Sequence, residues 1–192
     1  MKFIKLFSIL SIFTLALTSC SDDDHPEQIH EEEVITTMNV VLTEDGTNNT
    51  VTLKSVDLDG DLGDAPVITG GTLKANTTYN GVITLLNESE DITEEVAEEA
   101  DEHQFFYSAT DLSSTFTYAG DNDSEGNPVG IKFTIQTSEA GEGTYVITLK
   151  HEPNKSGAGV KEGDITNAGG DTDIEVVFPI TVEASIIKVI KI

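Results

Sequence analysis

Apolar and polar residues alternate with a period of two from Val34 onward, the spacing of strands that bury one face. Val34, Met38, Val40 and Leu42 share a face, and Val51 and Leu53 answer it beyond the turn Glu44-Asp45-Gly46-Thr47-Asn48-Asn49. Tyr79, Gly81, Ile83 and Leu85 make a second face. Phe105, Phe106 and Tyr107 open a strand that leads towards Phe116 and Tyr118. The alternation is strict in Val129, Ile131, Phe133 and Ile135, with Gly130, Lys132, Thr134 and Gln136 pointing the other way. Tyr145, Ile147 and Leu149 repeat it after Gly141 and Gly143. The longest run is Ile174, Val176, Phe178, Ile180 and Val182; Pro179 lies on its outward side, which suits an edge strand.

Roughly eight short strands joined by polar turns predict an all-β fold, an antiparallel two-sheet sandwich of Ig-like, Greek-key type. A small closed β-barrel is the alternative. No regular alternation of strands and helices is present, so a doubly wound parallel sheet is not expected. One segment departs from period two: Ile92 to His103 carries Val96, Ala97 and Ala100 at helical spacing, with Asp91 placed to cap the first turn. It predicts one short acidic helix between the sheets.

The first residues are an address. Lys2 and Lys5 precede an apolar core from Leu6 to Leu17, too short to span a bilayer and proportioned as a secretory signal. Leu17-Thr18-Ser19-Cys20 resembles a bacterial lipobox, which implies cleavage before Cys20 and acylation of that cysteine. Ser21-Asp22-Asp23-Asp24 resembles the acidic export tag of surface-exposed Bacteroidota lipoproteins; otherwise it is a solvated tether. The expected organisation is a signal peptide over residues 1–19, an acylated acidic tether over 20–33, and one domain over 34–192. Cys20 is the single cysteine, so no disulfide can form within a monomer. The tail 186–192 is apolar with two lysines, and either extends the last strand or pairs with a partner.

Charge narrows the function. Asp and Glu number 35 against 10 basic residues, all lysine, for a net charge of −25. Losing Lys2 and Lys5 with the signal takes it to −27. Nucleic-acid binding is excluded, because phosphate backbones need clustered Lys and Arg.

Four regions carry candidate chemistry. Asp57, Asp59, Asp61 and Asp64 alternate in one loop, and Asp121, Asp123 and Glu125 precede Gly126 in another. Such spacing offers hard oxygens to Ca2+, although Asp, Asn and Gly are also ordinary turn formers. The second loop is no EF-hand, since Lys132 stands where the bidentate glutamate belongs. Nine acidic residues and no basic one lie between Glu88 and Glu102. Glu99 and His103, four residues apart, can take Zn2+ or another divalent ion with His151 or a distant carboxylate; alternatively His103 only complements a helix C-terminus. His151, in phase with Leu149, opens the connection Glu152-Pro153-Asn154-Lys155 and a glycine-rich stretch to residue 172, the expected ligand loop, with Glu152, Asn154 and Lys155 as its contacts. No Gly-x-Ser-x-Gly or His-Glu-x-x-His motif occurs. A non-enzyme is expected: a binding or accessory module or, alternatively, a structural or adhesive surface module whose Asp-rich loops bind calcium for stiffness.

Asn76-Thr77-Thr78-Tyr79-Asn80-Gly81, His151-Glu152-Pro153-Asn154-Lys155 and Gly163-Asp164-Ile165-Thr166-Asn167-Ala168-Gly169-Gly170 resemble a family of small Bacteroidota outer-membrane lipoproteins of unknown function. That family is often labelled "type 1 periplasmic binding fold superfamily protein". The resemblance covers most of the mature chain and transfers no catalytic residue. It implies an outer-membrane location, anchored through lipid on Cys20, and work beside a TonB-dependent transporter.

Overall fold

The computed structural model describes residues 34–60 and 63–185. The signal, Cys20, the tether, Asp61 and the tail 186–192 lie outside the described residues.

Two sheets carry the fold. The first contains β1 (Thr37–Glu44), β2 (Thr50–Val56), β3 (Val67–Thr69), β5 (Thr78–Asn87), β6 (Glu90–Asp91), β8 (Ser114–Tyr118) and β9 (Lys132–Thr137). The second contains β4 (Gly71–Lys74), β7 (His103–Thr110), β10 (Gly141–His151) and β11 (Asp171–Glu183). The strand orders are β3-β2-β1-β5-β9-β8, with β6 paired to β5, and β4-β11-β10-β7. Both are open paths, so the fold is an all-β sandwich and the closed barrel falls. Nor is it the two-lobed α/β architecture that the family label names. β1, β2 and β3 form a meander, and β5 returns to lie beside β1 after the chain has crossed to the other sheet, a Greek-key type of connection.

The period-two faces are the core. Met38, Val40, Leu42, Ile83, Leu85, Phe133 and Ile135 come from the first sheet, and Phe105, Tyr145, Ile147, Leu149, Phe178 and Ile180 from the second, all buried. Each large apolar side chain withdrawn from water in this way contributes about 1.5–3 kcal/mol. Val129 and Ile131 are buried although they precede β9; their carbonyls accept from Phe105 and Ile83 amides at 2.7 and 3.0 Å and tie that segment to both sheets.

Five expectations change. Val34 lies ahead of β1 and is exposed, so it does not share the buried face of Met38, Val40 and Leu42. The sandwich is not wholly antiparallel: β4 runs parallel to β11, with Ile180 opposite Gly71. β4 inherits its direction from β3 and changes sheets at Gly70, where a Cβ would fall 1.9 Å from the Pro179 carbonyl oxygen. Only glycine lets the two backbones approach so closely. Pro179 is consequently not on a simple edge strand; it precedes by one residue the stretch of β11 that pairs with β4. Phe105 and Phe116 belong to different strands in different sheets, because the chain reverses at Asp111, whose φ is +60°.

Finally, α1 spans only Thr93–Glu98 and does not reach His103. Asp91 accepts from the Thr93 amide at 3.0 Å, but Ile92 stands at the cap position and makes no side-chain cap bond; Val96 buries one face. Beyond Glu98 no basic side chain in the last turn supports the helix, and like charges at i,i+4 oppose its extension. Carbonyls just past its end find other partners: His103 contacts the Glu99 oxygen and Lys155 donates to the Ala100 oxygen.

Candidate metal centre

His103 begins β7 and His151 ends β10, and the antiparallel register sets them directly opposite each other. Residues that face each other in this way on one side of a sheet have side chains in contact. His103 Nε2 lies 3.1 Å from His151 Nδ1, and the rings meet edge to face with centroids 4.9 Å apart. Both imidazoles are buried.

The third member comes from β11. Strict alternation would turn Asp173 away from the face that carries Val176 and Phe178. Between β10 and β11, however, Leu149 pairs with Ile174 and Lys150 with Thr172, so Asp173 is the extra residue of a β-bulge. A bulge re-aims side chains, and here the Asp173 carboxylate points inwards with no exposed surface. Its oxygens lie 3.6 Å from His103 Nε2 and 3.9 Å from His151 Nδ1.

The tautomer of His103 follows from its neighbours. Nδ1 is 3.3 Å from the Glu99 carbonyl oxygen, which can only accept, so Nδ1 carries the proton. Burial, then the electrostatic influence of the adjacent His151, hold the His103 pKa down at about 4 despite that bond, with Lys155 adding a smaller push. His103 is neutral at physiological pH, and its Nε2 lone pair faces His151 and Asp173. An imidazole oriented by a carbonyl on its far nitrogen is the arrangement that metal-ligating histidines adopt.

Distances fit a small divalent ion. Tetrahedral ligands at 2.0–2.1 Å from a metal stand roughly 3.3 Å from one another, and the observed separations of 3.1, 3.6 and 3.9 Å bracket that value. Two imidazoles and a carboxylate favour zinc or a neighbouring first-row ion over calcium, which takes more and harder oxygens.

The other predicted residues have different fates. Glu99 orients His103 through its carbonyl; its carboxylate is 3.9 Å from Nδ1 and 46% exposed. Asp57 and Asp59 accept amides within their own loop, from Gly60 at 2.8 Å and Asp64 at 3.0 Å, as turn residues do. Asp123 accepts from the Glu125 and Asn127 amides and from the Asn127 side chain. Burial alone would raise its pKa, but the Asn127 bonds and Lys155 outweigh that and hold it below the usual carboxylate value. Burial keeps Asp121 above that value, while its carboxylate accepts from the Lys132 amide. Glu125 sits exposed at the tip.

Lys155 is the unexpected occupant of this second loop. Its buried ammonium stands 3.4 Å from Asp123 and donates to the Pro128 and Ala100 carbonyls at 3.1 and 2.6 Å. A cation from the chain thus sits against the carboxylate that was expected to hold calcium. Among the described residues, three carboxylate or imidazole donors come within 4.8 Å of one another in two groups, His103–His151–Asp173 and Glu102–His151–Glu152. Neither includes an Asp of the two loops.

The connection from His151 to Asp171 is not structureless. It contains 3-10 turns at Val160–Glu162 and Ile165–Asn167, and Val160 and Ala168 pack on Phe106 as a small second core. Gln104 Nε2 donates to the Val160 carbonyl at 2.8 Å and pins it. Glu152 and Asn154 remain exposed, whereas Lys155 is committed to the interior. Asp173 is the member that pattern reading missed, because a bulge leaves no mark in the period. Its one signal was the interruption of apolar residues before Ile174.

Comparison with family models, with curated proteins and with solved structures finds no match.

Proposed function

We propose that this protein is a non-catalytic binding module of the outer membrane, anchored by lipid on Cys20, that holds a zinc-class divalent metal between its sheets. The observation that carries the reading is the convergence of His103 Nε2, His151 Nδ1 and the Asp173 carboxylate from three adjacent strands. With three protein ligands, a tetrahedral ion keeps one position for a further ligand. That position suits ligand capture on behalf of a transporter of the TonB-dependent class, the partner that the sequence resemblance implies.

The test is metal content and zinc titration of the mature chain. About one zinc per chain, lost in His103→Ala and in His151→Ala, is the expected result. Absence of zinc binding by the unmodified chain, or binding that survives both substitutions, would overturn it.

A further inference from the structure

The residues beside the two histidines form a second constellation. Glu102 precedes His103 and Glu152 follows His151, so the pairing of His103 with His151 brings the two glutamates to the same end of the sheet. Their backbones are joined directly: the Glu152 amide donates to the Glu102 carbonyl at 2.6 Å. A carboxylate oxygen of each and a ring nitrogen of His151 lie within 4.8 Å of one another. Both glutamates are exposed, while His103 and Asp173 are sealed in. His151 is therefore common to a buried donor set and a solvent-facing one.

The surroundings favour cations. Glu102 closes the run that begins at Glu88 and contains nine acidic residues and no basic one. Clustered like charges beside low-dielectric protein concentrate counter-ions and raise their association rate.

We infer that Glu102, Glu152 and His151 form an outer divalent-cation site that loads the buried centre. An arriving ion is held first by the two carboxylates and the imidazole. It then moves inwards, exchanging the glutamates for His103, Asp173 and the His151 Nδ1 that faces them. No bond other than metal–ligand bonds is made or broken. This inference rests on the metal reading above and adds the route by which the site fills.

The experiment is stopped-flow loading of the chelator-stripped, acylated mature chain in detergent, with Zn2+ supplied against a chromophoric zinc indicator. Glu102→Gln/Glu152→Gln is compared with Glu139→Gln/Glu142→Gln, which removes the same charge elsewhere. Slowing of both loading and release by about tenfold or more in the first variant, with the equilibrium affinity nearly unchanged, is the expected result. Unchanged loading overturns the inference, as does equal slowing in the second variant, which would make the effect one of overall charge. In either case, zinc held by His103 and His151 would leave the buried centre standing. If the unmodified chain takes up no zinc, the centre and its route fail together.

Discussion

His103 Nε2 and His151 Nδ1 stand 3.1 Å apart across 48 residues of chain. The antiparallel register of β7 and β10 makes that distance short, and the bulge in β11 adds Asp173 to the pair. Three strands of one sheet therefore share a polar centre that sits where each strand's apolar face ends.

Asp173 is the charged member of that set, and its removal has a specific consequence. Asp173→Asn keeps the side-chain shape and abolishes the charge that balances the ion. Zinc affinity should fall at least about tenfold, by analogy with the losses seen even for outer-shell partners. Isothermal titration measures it, and unaltered affinity would show that the two imidazoles act without the carboxylate.

Metal-free protein should weaken in mild acid. The His103 pKa is about 4 in the fold against 6.5 as its ordinary value. Below pH 6.5 the unfolded chain takes up a proton that the folded chain refuses until about pH 4, so the stability present above pH 6.5 is lost as pH falls through that window. The loss is at most about 3 kcal/mol at 1.36 kcal/mol per pH unit. Urea unfolding at pH 7, 5.5 and 4 checks it, with His103→Gln giving the flatter profile. A variant as pH-sensitive as the parent would assign the loss to carboxylates.

Lys155→Met should be costly. It leaves the Ala100 and Pro128 carbonyls and the Asp123 carboxylate without their buried ammonium. Breaking a buried pair from one side costs about 3–5 kcal/mol, readable as a lower denaturation midpoint. In the unmodified chain the same ammonium should make melting insensitive to calcium. A calcium-dependent rise in melting temperature that Asp123→Asn or Asp59→Asn abolishes would instead support the structural or adhesive role first read from the Asp loops.

Gly70→Ala tests the crossing between sheets. The new Cβ would meet the Pro179 carbonyl at 1.9 Å, and that oxygen belongs to backbone that cannot rotate away. Overpacking of this kind costs typically 1–3 kcal/mol, and a backbone clash lies at or above the upper end. Thermal melting of the variant reports it; no change would mean that β4 can separate from β11 without loss.

The two inner faces could be read directly. Met38, Val40 and Leu42, then Tyr145, Ile147 and Leu149, recur at period two because a half-buried strand must bury every second residue, and the structure buries each of them. His151 was legible for the same reason, being in phase with Leu149. The helix end was not legible. Spacing alone carried α1 on to His103, whereas the interior claimed that residue for a strand and let Lys155 and His103 contact the carbonyls behind it.

Alternation along the chain thus determined the class of fold, the core and the inward direction of His151, since each depends only on a residue and its near neighbours. Tertiary structure alone decided the partners. Register set His103 against His151, a one-residue bulge turned Asp173 inwards, and a single glycine let β4 cross to the second sheet. Lys155 came to lie beside Asp123, the position read as a calcium site. Each of these joins residues far apart in sequence, and the physical reason is common to them: the pairing of strands and the filling of the interior are settled by all the elements together, so no local pattern records them.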